Sequence, residues 1–282
     1  MTSLRTFLLT AVAMLAFAAN SLLCRFALLH GAIDPASFAS VRMVSGALML
    51  AALLRFRRAP TVPARADWLA VAMLWLYVVC FSFAYVTLSA GTGALLLFGA
   101  VQLTMFGVGL YGGERFAPVA WVGLATALAG FVYLVWPGLA APAPVGAALM
   151  AAAGIAWGVY SLRGRGVRDP LAVTASNFAR GAPFALVLSV ALLSRWRMTG
   201  TGVALAVVSG ALTSGIGYAA WYAALRGLTP LRAATVQLSV APLAAFGGAL
   251  LLSESPSMRL WSASFAILGG VALVLATRSR AR

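Results

Sequence analysis

The sequence predicts an all-α integral membrane protein of ten transmembrane helices, arranged as two inverted five-helix repeats. Three observations predict it. The 282-residue chain is 63% hydrophobic and only 9% charged, too few charges to cover a surface facing water. Its apolar residues fall in continuous Ala- and Leu-rich runs of about 20 residues, the length that crosses a bilayer as a helix. The chain also repeats itself at an offset of about 140 residues, counted directly along the sequence.

Taken in order, the ten runs lie near Thr6–Cys24, Ala36–Leu54, Trp68–Val86, Thr92–Tyr111 and Ala117–Trp136, then Val145–Leu162, Leu171–Leu193, Val203–Ala223, Leu231–Leu252 and Leu260–Thr277. The first begins like a signal peptide, with Arg5 before an apolar stretch and small residues at Ala16–Ala19. Apolar runs continue along the chain, so it reads as a retained helix. Asp34-Pro35 opens the second run and Asp169-Pro170 the seventh. Pro242 sits inside the ninth, where a missing N–H kinks a helix. None of the runs alternates apolar and polar residues as a barrel strand does. The loops between them are too short to hold a soluble domain.

The repeat is clearest between Gln102–Trp136 and Pro242–Ala276. Phe106 aligns with Phe246, Glu114 with Glu254 and Trp121 with Trp261, and the chain contains only two Glu. Residues 1–140 and 141–282 form the two halves of one membrane domain. Each half has five spans, an odd number, so the halves cross the membrane in opposite senses.

All 20 basic residues are Arg, against five acids. Such a balance suits nucleic acid when the cations form a stripe, but these cluster between apolar runs. With both termini on the cytoplasmic side, Arg5, Arg55, Arg57, Arg58, Arg65, Arg115, Arg163, Arg165, Arg168, Arg226, Arg232, Arg278, Arg280 and Arg282 lie inside, and Arg195, Arg197 and Arg259 outside. The positive-inside rule favours that orientation in the cell (inner) membrane. The expected partners are the lipid bilayer and a small-molecule substrate, not nucleic acid, and the expected state is a monomer.

Cys24, Cys80 and the lone His30 form no metal-ligand spacing, so no metal and no cofactor are expected. There is no GxSxG and no HExxH, so an enzyme is not expected. Asp34, Asp67, Glu114, Asp169 and Glu254 all fall in loops or at span ends. Without a carboxylate at mid-span there is no proton carrier within the membrane, which points to facilitated diffusion or exchange.

The five-plus-five layout resembles the drug/metabolite transporter superfamily, in its ten-helix EamA-type branch. The residues that carry the resemblance are Gly113-Glu114-Arg115 after the fourth span and Ser253-Glu254 after the ninth, with a basic residue early in the second span of each half. Ser253 and Ser255 depart from the usual Gly and Arg beside the glutamate. The resemblance implies a transporter that exports small metabolites, amino acids among them. The aromatic middle spans are similar to those of the YddG-type aromatic amino-acid exporters. An exchanger of phosphorylated or nucleotide-linked sugars is the alternative, and it would need several cations at depth. An intramembrane enzyme or a scaffold subunit is more distant.

A central cavity would draw on polar and aromatic side chains within the spans. Asn20, Tyr77, Phe81, Phe98, Gln102, Trp157 and Tyr160 are the expected lining, with Arg42, Arg180 and Gln237 as accessory residues. Tyr77 and Phe81 are four residues apart and share a helix face. Each of these residue types also serves in ordinary helix packing. Arg42 and Arg180 lie about two turns into their spans. They anchor the structure, by snorkelling or by pairing with Asp34 and Asp169, or they meet the substrate.

Overall fold

The computed structural model describes residues 4–57, 66–113, 117–138, 141–164, 167–228, 233 and 236–278. Among them are ten helices. They are α1 (Leu4–Leu29), α2 (Pro35–Phe56), α3 (Trp68–Ala84), α4 (Ala90–Tyr111), α5 (Pro118–Val135), α6 (Pro144–Arg163), α7 (Pro170–Ala191), α8 (Gly200–Leu225), α9 (Val240–Leu251) and α10 (Met258–Arg278). Seven are long and apolar enough to cross a membrane. The shorter apolar helices are α3, α9 and the Met258–Val274 part of α10. Glu114, Arg115, Pro230 and the orientation-setting Arg58, Arg65, Arg165, Arg232, Arg280 and Arg282 lie outside the described residues.

The sequence starts these helices by recognisable chemistry. Asp34, Asp67 and Asp169 each cap a helix by accepting a backbone N–H, from Ser37, Ala70 and Ala172 respectively. Proline follows in the first turn of α2 and α7, where its missing N–H would be unpaired in any case. Glu254 reaches across to accept from Ala90 N at the start of α4, and pairs with Arg25 at 3.0 Å. All four described carboxylates therefore sit at helix N-termini, where the backbone dipole favours negative charge.

Two helices are not regular. In α8, residues Ser209–Ile216 are π-helical. Residues 236–237 are helical and are parted from α9 by a turn at residues 238–239, where Pro242 has no N–H to give to the Leu238 carbonyl. The interruption expected of Pro242 is present, and it falls on the N-terminal side of the proline.

Packing follows a two-fold pattern. The contacts α2·α7, α4·α9 and α5·α10 map onto themselves when the halves are exchanged. The contact α3·α6 has its counterpart in α8·α1, and α4·α6 in α9·α1. Among the seven longer apolar helices α4 is the most enclosed and α5 the least. The main core joins α1–α4 to α6–α9 and reaches Leu134 of α5 and Leu260, Ala263 and Ile267 of α10. Phe7, Leu48, Val187, Phe246 and Phe265 are among many large apolar side chains on the outside. A water-soluble surface would not carry them in such number, and lipid is the solvent they fit.

Candidate functional site

A narrow cavity lies at the centre of the bundle. Its walls are Phe17, Asn20 and Ser21 from α1, Tyr77 and Phe81 from α3, Leu97 and Phe98 from α4, Trp157 from α6, and Thr213 and Tyr218 from α8. It has room for about one water molecule.

The aromatic residues form a continuous set. Trp157 is central: its ring centroid lies 4.9 Å from Tyr77, 5.5 Å from Tyr160 and 5.2 Å from Tyr218. Tyr77 and Phe81 follow at 5.5 Å, and Phe17 meets Tyr218 edge-on at 5.9 Å. These separations suit offset and edge-to-face ring pairs.

The polar floor comes from the π-helical stretch of α8. Asn20 Oδ1 accepts hydrogen bonds from Ser209 Oγ at 2.6 Å and Thr213 Oγ1 at 3.2 Å. Ser214, also in that stretch, accepts from Arg42 Nε at 3.2 Å. A π-helical stretch shifts side chains around the helix relative to α-helical spacing, and such segments gather at functional sites. Gly210 makes the close approach possible. A Cβ there would stand 2.3 Å from the Arg42 carbonyl oxygen.

Arg42 does not snorkel. It is fully buried. Its Nη2 donates to the Tyr77 hydroxyl at 3.0 Å, and its guanidinium carbon lies 5.2 Å and 4.9 Å from the ring centroids of Tyr77 and Phe81. The pairing of Arg42 with Asp34 and of Arg180 with Asp169 does not occur. Asp34 caps α2 and accepts from Arg197 N, and Asp169 caps α7 and accepts from Arg57. Arg180 is half-buried and bonds to Ser176 on its own helix.

The cavity brings together Asn20, Tyr77, Phe81, Phe98 and Trp157 from the set read in the sequence. Tyr160 stands one ring behind Trp157, with its hydroxyl bonded to Thr174 at 3.4 Å and to Asn177 at 3.5 Å. Gln102, Gln237 and Arg180 do not line it. Phe17, Ser21, Leu97, Thr213 and Tyr218 were missed. The repeat held the signal for two of them: residue 17 precedes Trp157 by 140, and Tyr218 follows Tyr77 by 141.

The arrangement offers ring faces, an amide, hydroxyls and one buried cation. It has no nucleophile–base pair and, among the described residues, no group of side chains able to hold a metal.

Comparison with known proteins agrees with this architecture. A solved crystal structure of 22% identity superposes with a TM-score of 0.70 over 97% of this chain and 98% of its own, which shows the fold alone. An uncharacterized protein of Pseudomonas aeruginosa is 56% identical over 274 residues, covering 97% of this chain and 96% of the relative. Residues 144–276 match the EamA-like transporter family. A bundle of apolar helices around an aromatic cavity, with that match, makes the chain a multi-pass membrane transporter that belongs to the EamA-like transporter family.

Proposed function

We propose that the protein is a secondary transporter that exports small neutral or zwitterionic metabolites, foremost amino acids with aromatic or apolar side chains. Transport is by alternating access to the central cavity, across the inner membrane, with both termini cytoplasmic. Residues 1–140 and 141–282 are the two moving halves. The observation that carries this reading is the cavity's dual origin. Phe17, Asn20, Tyr77, Phe81 and Phe98 come from the first half, and Trp157, Thr213 and Tyr218 from the second. A solute bound there is held by both halves, so a relative movement of the halves opens it to one side or the other. The closed cavity is too narrow for an amino acid, so binding requires that movement.

Ring faces suit an aromatic or aliphatic body, and Asn20 and the hydroxyls suit a polar end. The phosphorylated-sugar reading has less support, because among the described residues Arg42 is the only cation beside the cavity, and Arg180 bonds to Ser176 and does not line it.

The test is flux of labelled phenylalanine through purified protein in liposomes, with Trp157→Ala alongside. We expect saturable flux in the parent and a loss of about tenfold or more in the variant, as for truncation of a buried aromatic anchor. Saturable flux unchanged by Trp157→Ala would remove the cavity from the pathway. Absence of flux for every amino acid would overturn the substrate assignment.

A further inference from the structure

We propose that Arg42 is the carboxylate-binding residue of the central cavity, and that the site selects a monocarboxylate on an aromatic or aliphatic body without requiring an ammonium group. This deepens the transporter reading above and rests on it.

The charge balance around Arg42 carries the argument. The residue is fully buried. Nε is bonded to Ser214 and Nη2 to Tyr77, but Nη1 has no hydrogen-bond partner. A buried cation without a counter-ion is among the least favourable arrangements in a protein interior. The described acids are all engaged elsewhere: Asp34 with Ser37 and Arg197, Asp67 with Arg163, Asp169 with Arg57, and Glu254 with Arg25. The electrostatic neighbours of Arg42 are Tyr77, Tyr218 and Cys24. The ring faces of Tyr77 and Phe81 offset only part of its charge.

The second observation is the hydroxyl of Tyr218. It is buried, it belongs to a residue that lines the cavity, and it also lacks a partner. The guanidinium N–H and the phenol are electrostatic neighbours, and the Ser21 hydroxyl, on another residue of the lining, has no partner either. A carboxylate has two oxygens, and a guanidinium fork is its geometric complement. Arg42 sits behind the Tyr77 and Phe81 rings that wall the closed cavity. A solute wide enough to part those rings meets the free N–H.

The cation side of a zwitterion has no such partner. Among the described residues no acid lines the cavity, and Asn20 Oδ1 already accepts two hydrogen bonds. An ammonium group would meet only ring faces. A phosphate dianion calls for a second cation, and Arg180 is bonded to Ser176 instead.

The experiment uses the full-length protein in detergent with three probes: phenylalanine, 3-phenylpropionate and 2-phenylethylamine. Binding is read by tryptophan fluorescence and by thermal shift. We expect the two carboxylates to bind alike and the amine about tenfold more weakly or worse, the size of a lost charge-assisted hydrogen bond. Arg42→Gln should erase the difference between acid and amine. Arg42→Lys should keep the preference in weakened form, because it retains the charge and loses the fork. Arg42→Gln without ligand should melt no earlier than the parent, since it removes an unneutralised buried charge.

Equal binding of amine and acid by the parent would overturn the proposal. So would an unchanged preference in Arg42→Gln, an early-melting empty Arg42→Gln, or no binding of any probe. Phenylalanine flux that persists alongside an unchanged preference would sink the role of Arg42 and leave the transporter standing. Carboxylate-selective binding without phenylalanine flux would do the reverse.

Discussion

The α2–α7 pair is tied at both ends, and the two ties are made differently. At one end Arg57, just past α2, donates from Nη1 to the Asp169 carboxylate at 2.9 Å, and Asp169 caps α7. At the other end Arg197, beyond α7, meets Asp34, which caps α2. Arg57 and Arg197 are 140 residues apart, the offset of the repeat. Yet only Arg57 uses its guanidinium. Arg197 contributes its backbone: its N–H donates to Asp34 Oδ2 at 3.2 Å and its carbonyl accepts from Asp34 N at 2.8 Å. Thr199 N donates to Ala32 O at 2.9 Å, and Ile33 bridges to Met198. Related positions therefore give an ionic tie at one end and a short backbone tie at the other. The repeat sets where the chain passes, and neighbouring residues decide which atoms bind. Under the proposed transport cycle the two ends take turns in opening.

The largest effect is expected where the backbone tie is tightest. Gly202, at the start of α8, lies so close to the loop before α2 that a Cβ would stand 2.3 Å from Ala32 O and 2.7 Å from Ile33 Cβ. Backbone cannot yield as a flexible side chain can. Gly202→Val should therefore force α8 away from residues 32–33 and destabilise the protein by about 1–3 kcal/mol, as overpacking does. Thermal melting in detergent measures it. A variant as stable as the parent would mean that this end is loose, and the contrast between the ends would fail.

A smaller effect separates the related arginines. Asp169 is buried, its side chain only 7% exposed, so removing Arg57 takes away an ionic partner that water does not readily replace. Arg57→Ala should lower stability by about 1–2 kcal/mol, the order of a lost hydrogen bond to a charged group, because Asp169 keeps the Ala172 N–H. Arg197→Ala should change it by less than about 0.5 kcal/mol, because the backbone tie survives. Equal losses in the two variants, compared by melting under one buffer, would break the comparison.

The sequence shows much of this frame and little of its chemistry. Long apolar runs and Asp-Pro starts are local signals, so all ten helices were readable, together with the shared face of Tyr77 and Phe81. The fate of the acids was not. Spacing alone left open whether Arg42 would snorkel, pair with Asp34 or meet the substrate. A helix N-terminus, however, offers an aspartate free N–H groups three residues on, and that nearer demand took Asp34, leaving Arg42 without an acid among the described residues. The π-helical stretch of α8 was illegible because it depends on how α8 packs against α2, with Gly210 at the Arg42 carbonyl. Phe17 has no local contrast in an apolar helix. Only its place 140 residues before Trp157 marks it.

A third ionic tie tests whether burial accounts for the strength expected of Arg57–Asp169. Arg163 pairs with Asp67, the cap of α3, but the side chains are 45% and 30% exposed. Partial burial pushes the Asp67 carboxyl up. The Arg163 guanidinium and the backbone N–H groups of Ala70 and Leu69 outweigh that and hold it below its ordinary value. A group whose folded value is depressed stabilises the fold above its unfolded pKa, about 4 for Asp, and loses that contribution as pH falls through the folded value. Water screens this pair, so Arg163→Ala should cost no more than about 0.5 kcal/mol at pH 7. By pH 3 the difference from the parent should have shrunk, as Asp67 begins to take up its proton. Melting curves at the two pH values measure both. A loss at pH 7 as large as that for Arg57→Ala would show that an exposed tie is worth as much as a buried one, and burial would no longer explain the strength of the ionic end.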